Sequence, residues 1–102
     1  MAAARLKFNI LHEANKHRFA AYAVEAGVDA VGYLEYALKD NVMDMYHTFV
    51  SPKMRGQGLA GQLCDVAFQY AQQQKHVVKP SCSYISDTYV PAHPEAKALC
   101  RL

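Results

Sequence analysis

The sequence predicts an α+β fold: a mixed, mostly antiparallel sheet with one long helix packed on it and a short C-terminal helix. Three observations point there. Residues Val42 to Val50 alternate with a period of two. From Gly58 onward the apolar residues fall at Leu59, Leu63, Val66, Ala67, Tyr70 and Ala71, one face of a helix. Between the strand at 31–38 and the strand at 42–50 stands Lys39-Asp40-Asn41, a tight hairpin loop.

The remaining elements follow in order. Leu6 to His12 alternates loosely and suits a first strand, with a turn at Asn15-Lys16. Arg18 to Glu25 is apolar on both faces and reads as a second strand, broken by Ala26-Gly27-Val28-Asp29. Val31 to Leu38 is rich in Val, Tyr and Leu and reads as a third. In the fourth, Val42, Asp44, Tyr46, Thr48 and Val50 share one face, and Met43, Met45, His47 and Phe49 the other. Ser51-Pro52 ends it, and the helix runs from Gly58 to Gln74. His76 to Tyr84 reads as a fifth strand interrupted by Pro80, followed by a short turn or helix at Ser86 to Val90. The order is β-β-β-β-α-β-α. The strands flanking the long helix should lie parallel, joined by a right-handed crossover.

Length and composition bound the function. A chain of 102 residues is expected to form one domain over 1–102 and to bury roughly 60–70% of its unfolded surface. Apolar residues are 52% and charged residues 20%, a globular balance. A net charge of +2 gives no electrostatic case for nucleic acid. No apolar run is long enough to span a bilayer, and Met1-Ala2-Ala3-Ala4-Arg5 lacks the pattern of a secretory signal. The 3 cysteines, at 64, 82 and 100, form no CxxC pair, which argues against a disulfide framework and against a zinc site. The expectation is an intracellular monomer, cytoplasmic or nuclear, without a metal.

The segment with chemistry is Arg55-Gly56-Gln57-Gly58-Leu59-Ala60-Gly61, between the clearest strand and the clearest helix. A helix start leaves backbone N–H groups without partners and carries partial positive charge. Glycines there let a phosphate approach the backbone, and Arg55 adds a charge-assisted contact. No Gly-Lys-Ser/Thr follows, so it is not a Walker loop, and a meander is not the βαβ setting of a dinucleotide fingerprint. The alternative is a glycine-rich helix start that binds nothing.

Arg55-x-x-Gly58-x-Ala60 resembles the Arg/Gln-x-x-Gly-x-Gly/Ala signature of the GNAT N-acetyltransferase superfamily, which holds the acetyl-CoA pyrophosphate there. With His47-Thr48-x-Val50, Cys82-Ser83-Tyr84 and His93-Pro94, the resemblance extends to a compact subfamily of that group. Val42-Met43-Asp44 and Pro80 to Thr88 look most like its small plant acetyltransferases. The resemblance implies a minimal GNAT (acyl-CoA N-acyltransferase) fold without the helical pair between the first two strands and without the final strand pair. It implies an acetyl-CoA-dependent N-acetyltransferase acting on an amine, a protein lysine among the candidates. The alternative is a module that binds coenzyme A with little or no transfer.

In such a fold the strands at 42–50 and 76–84 splay apart, and Pro80, with no N–H, belongs where pairing is broken. The pantetheine arm would use the freed edges, with the thioester near Thr48, Phe49 and Val50 and the pyrophosphate on Gly56, Gln57, Gly58, Leu59, Ala60 and Gly61. Three catalytic candidates follow. Tyr89 is an acid for the leaving thiolate; the alternative is a ring packed under the C-terminus. Cys82 lines the acetyl pocket or takes the acetyl group itself. His47 is a base, or a histidine satisfied on an apolar face. Direct attack by the amine is expected, with Cys82 and His47 both facing the cleft.

Overall fold

A computed structural model describes residues 8–24 and 29–101. Five strands form one sheet in chain order: β1 (Phe8–Glu13), β2 (Arg18–Ala23), β3 (Gly32–Lys39), β4 (Val42–Val50) and β5 (Val77–Lys79). The first four are antiparallel and β5 runs parallel to β4, as the crossover predicts. Helix α1 (Leu59–Gln73) makes that crossover and covers one face of the sheet. Only a single turn, Ala14–Lys16, joins β1 to β2. The strand expected from Leu6 is described from Phe8; residues 6 and 7, and residues 26–28 of the break expected at Ala26 to Asp29, lie outside the described residues.

The core lies between α1 and the sheet. Leu59, Leu63, Cys64, Ala67, Phe68 and Ala71 are buried from α1. Phe19, Ala21, Leu34, Tyr36, Met43 and Met45 meet them from the sheet. Truncating a fully buried leucine such as Leu63 costs about 2–5 kcal/mol. Gly32 is fixed by close approach: a Cβ there would stand 3.0 Å from both the Leu59 side chain and the Phe49 carbonyl. Two positive-φ residues, Asp40 and Asn41, make the β3–β4 turn, whose residues Lys39 to Asn41 the sequence marks as a hairpin.

Two departures from the sequence reading position the site. First, β4 carries a bulge: Glu35 pairs with His47 but Tyr36 pairs with Met45, so Tyr46 is extra. The alternation reverses across it. Thr48 and Val50 join Met43 and Met45 on the α1 face, while His47 and Phe49 join Val42 and Asp44 on the open face. Second, β5 is three residues long rather than nine. Pro80 stops it, and by Ser83 the chain is helical, running through a wide π-type turn at Ile85–Tyr89 into Val90–Ala92. A further short helix at Pro94–Lys97 leads the chain back along the free edge of β5, where Val78 and Arg101 exchange backbone bonds with Leu99 and Val78.

Candidate active site

The β4–β5 ladder ends at Asp44–Lys79, and the last bond between backbone groups across the gap is the Cys82 N–H on the Met45 carbonyl, at 2.9 Å. Beyond it the β4 edge is open. Ser51 N–H donates to Val31 on the β3 side, so strand alternation turns the amides of Thr48 and Val50 toward the gap. The Arg55 Nε–H bond to the Val50 carbonyl, 3.1 Å long, lies on that same edge.

At the head of the gap stands the start of α1. Gly58 is its N-cap in the left-handed region, φ 76°, and no side chain caps the helix. The first intrahelical bond runs from Gln62 N–H to Gly58 C=O, which leaves the N–H groups of Leu59, Ala60 and Gly61 as the orphans of the first turn. Gly56 also has positive φ, 83°. Nothing lies within 4 Å of where a Cβ would stand on Gly56 or Gly58. The fold therefore needs these glycines for backbone conformation and leaves bare space above them. Around that space is a depression of about 280 Å³ lined by Val50, Met54, Arg55, Gly56, Gly58, Leu59, Ala60, Gly61 and Tyr84.

Seven of the ten cofactor residues read from the sequence line this depression. Thr48 lies further down the gap and Gln57 is not part of the lining. The bulge turns the Phe49 ring to the open face, where it stacks on Tyr33 at 5.2 Å. Met54 and Tyr84 line the depression without having been singled out. Tyr84 stood in the Cys82-Ser83-Tyr84 motif, but its direction follows from the early end of β5, which the strand reading hid.

Cys82 sits at the closed end of the gap with its sulfur 3.4 Å from the Thr48 hydroxyl. Partial burial raises its pKa. Hydrogen bonds from the Thr48 hydroxyl and from the backbone at Ile85, Tyr84 and Thr48 outweigh that, and the thiol ends below its ordinary 9.0. Cys64, buried in α1, is pushed strongly the other way by desolvation. Of the 3 cysteines, Cys82 alone has its pKa lowered, by hydrogen bonds to its sulfur.

His47 does not share a face with Cys82, contrary to the sequence expectation, because the bulge at Tyr46 turns it outward. Its Nδ1–H donates to Glu35 Oε1 at 2.9 Å, since an ionised carboxylate only accepts. That fixes the tautomer and leaves Nε2 as the basic nitrogen. Tyr89 points away from the gap. Its hydroxyl donates to Asp65 on α1 at 2.6 Å, and its ring stacks on Phe68 and His93. Desolvation, then the Asp65 bond, pushes its pKa well up. The packing alternative weighed for Tyr89 describes this placement.

A family model for GCN5-related N-acetyl-transferases matches residues 18–99. The chain belongs to the GCN5-related N-acetyltransferase family. The fold agrees. The solution structure of a GCN5-like candidate N-acetyltransferase from Staphylococcus aureus superposes with a TM-score of 0.67, at 17% identity, over 97% of this chain and 91% of that one. The crystal structure of nourseothricin acetyltransferase gives a TM-score of 0.50 at 14% identity, over 71% of this chain and 55% of that one. Members of the family in general use acetyl-CoA. In this N-acetyltransferase the depression at the head of α1 offers what a pyrophosphate needs: free amides, a positive helix end and a guanidinium. No helix among the described residues is long and apolar enough to cross a membrane.

Proposed function

We propose that the protein binds acetyl-CoA along the gap between β4 and β5 and transfers its acetyl group to an amine, a protein lysine being the best fit. The observation that carries this is the pair of open, positive-φ glycines at an uncapped helix start, contiguous with the unpaired edge of β4. Gly56, Gly58, Ala60 and Gly61, with Arg55, would hold the pyrophosphate. The Val50 amide would pair with the pantetheine arm as a neighbouring strand does. When bound, acetyl-CoA supplies an activated thioester.

The catalytic roles follow from the two sides of β4. Helix α1 packs on one face of the sheet beside the gap, so an acceptor reaches it from the other. On the closed side the Cys82 thiolate, held by its hydrogen bonds, attacks the acetyl carbonyl carbon and the bond to the coenzyme sulfur breaks. On the open side the acceptor amine, giving its proton to His47 Nε2, then attacks the acetyl-cysteine, and the Cys82 thiolate is released. Glu35 stabilises the imidazolium that forms. The cradle around Cys82 favours this two-step route over the direct attack expected from sequence. The chain would work as one domain and as a monomer, and its free cysteines suit the cytoplasm or nucleus.

The test is intact mass after mixing with acetyl-CoA, without and then with an amine. A 1:1 acetyl adduct on Cys82 that the amine removes at the turnover rate is expected. Turnover without any adduct, retained in Cys82→Ala, would restore the direct route. No binding of acetyl-CoA at millimolar concentration would end the reading.

A further inference from the structure

On the face of the sheet away from α1, one register row crosses the four antiparallel strands. Glu13 pairs with Arg18, Arg18 with Glu35, and Glu35 with His47. Directly paired residues of an antiparallel sheet point to the same side, with Cβ atoms about 4.5–5.5 Å apart. The row therefore runs carboxylate, guanidinium, carboxylate, imidazole. Its far end is the base of the transfer proposed above.

Arg18 has a carboxylate opposite it on each neighbouring strand and takes only one. Its Nε–H donates to Glu13 Oε1 at 2.7 Å, while Glu35 Oε1 accepts from His47 Nδ1–H at 2.9 Å. Among the described residues no other carboxylate lies within 4.0 Å of Arg18 or His47. Three contacts hold this division. The Tyr22 hydroxyl donates to Glu13 Oε2 at 2.6 Å, so both oxygens of Glu13 are bonded and its carboxylate is aimed. The Arg18 guanidinium carbon lies 5.4 Å from the centre of the Tyr33 ring, a cation–π seat. The same ring meets His47 edge-on at 5.9 Å.

A guanidinium carries its donors on a long side chain and is always charged. Released by Glu13, it would reach Glu35, its partner across the β2–β3 ladder. Glu35 would then be shared between Arg18 and His47. Its charge would be offset by a permanent cation, and the bond that orients the His47 ring would weaken. We propose that Glu13 is a positioning residue for acetyl transfer: by holding Arg18 it reserves Glu35 for His47. This rests on His47 acting as the base in the transfer reading above, and adds to that site a residue on β1, three strands away. Arg18 has no part in the chemistry and only has to be kept occupied.

The experiment compares the parent with Glu13→Gln, Arg18→Gln and the double variant, using a small amine as acceptor and released coenzyme as the readout. Glu13→Gln should lower kcat about threefold to fivefold, the size of one exposed charge pair, with KM for acetyl-CoA unchanged. The acid limb of kcat/KM should move down by about half a pH unit, because a cation beside Glu35 disfavours the protonated imidazole. Arg18→Gln should keep the parent rate, since Glu35 then has no competitor, and the double variant should regain it. A loss through folding alone would deepen in the double variant, so this rescue separates positioning from stability. Long-range proton–nitrogen spectra of the His47 ring read the same point without turnover: Nδ1–H in the parent, in Arg18→Gln and in the double variant, and a mixture of tautomers in Glu13→Gln. Tyr22→Phe, which removes only the hydroxyl that aims Glu13, should move rate and limb the same way by less. Parent rate, limb and tautomer in Glu13→Gln, or a double variant no faster than Glu13→Gln, would overturn the role of Glu13 while acetyl transfer stands. A parent that acetylates no amine would overturn the transfer reading, and this role with it.

Discussion

Replacing Gly58 by Asn separates the conformational need for a glycine from the space above it. Gly58 sits at φ 76° and ψ 15°, a left-handed geometry that costs an ordinary L-residue roughly 1–2 kcal/mol and Asn less. A Cβ at Gly58 meets no protein atom within 4 Å, so no steric cost is added. Gly58→Asn should therefore stay folded, with a stability loss under about 1 kcal/mol and a melting point within roughly 4–8 °C of the parent. Its side chain would stand where the phosphates must approach the first-turn amides. Each charge-assisted hydrogen bond lost there is worth about 1.5–3 kcal/mol, so acetyl-CoA affinity should fall by a factor of about 10–150 per bond. Calorimetry for affinity and thermal unfolding for stability give both numbers. A folded Gly58→Asn that binds acetyl-CoA as tightly as the parent would refute the assignment of this space to the cofactor.

Three further outcomes follow from the same structure. Thr48→Val removes the hydroxyl that supports the Cys82 thiolate, so the pH midpoint of Cys82 alkylation should rise toward 9.0 and the rate at pH 7 should fall; an unmoved midpoint would discount the hydroxyl. Glu13 is held below its ordinary 4.5 by its bonds from Tyr22 and Arg18. A depressed carboxyl stabilises the fold above the unfolded pKa and stops doing so as pH falls through the folded one. Glu13→Gln should thus lower the urea midpoint at pH 7 and not at pH 2, and equal effects at both would remove the electrostatic explanation. Tyr89→Phe leaves the Asp65 carboxylate without its donor and should cost about 1 kcal/mol in thermal or urea unfolding, against no change if the bond were incidental.

The elements of this fold were largely legible because each rests on a local rule. The hairpin residues Lys39-Asp40-Asn41, the period change at Gly58 and the parallel crossover all stand in the structure. The glycine-rich start of α1 was legible for the same reason: glycines at a helix start are a local signal. The placement of His47 was not. A bulge is one residue gained in a pairing between two strands, and nothing at Tyr46 announces it. That single residue moved His47 and Phe49 to the open face and Thr48 to the closed one. The length of β5, expected over His76 to Tyr84, was misjudged because Cys82 and Tyr84 alternate with serines after Pro80 as a strand would, although by Ser83 the chain has turned into a helix. Tyr89 fell on the far side of α1 through the wide turn at Ile85–Tyr89, whose pitch is set by packing rather than by propensity.

The central claim is that acetyl-CoA lies on the head of α1 and runs down the parting of β4 and β5. Backbone amide NMR of the intact protein during titration with acetyl-CoA tests it most directly. The account predicts saturable shifts concentrated at residues 55–61, at Thr48 and Val50, and at Cys82 and Tyr84, with Lys39, Asp44 and Arg101 unmoved. Absence of saturable shifts at millimolar acetyl-CoA, or shifts centred on the paired β4–β5 segment around Asp44 and Lys79 instead, would contradict it.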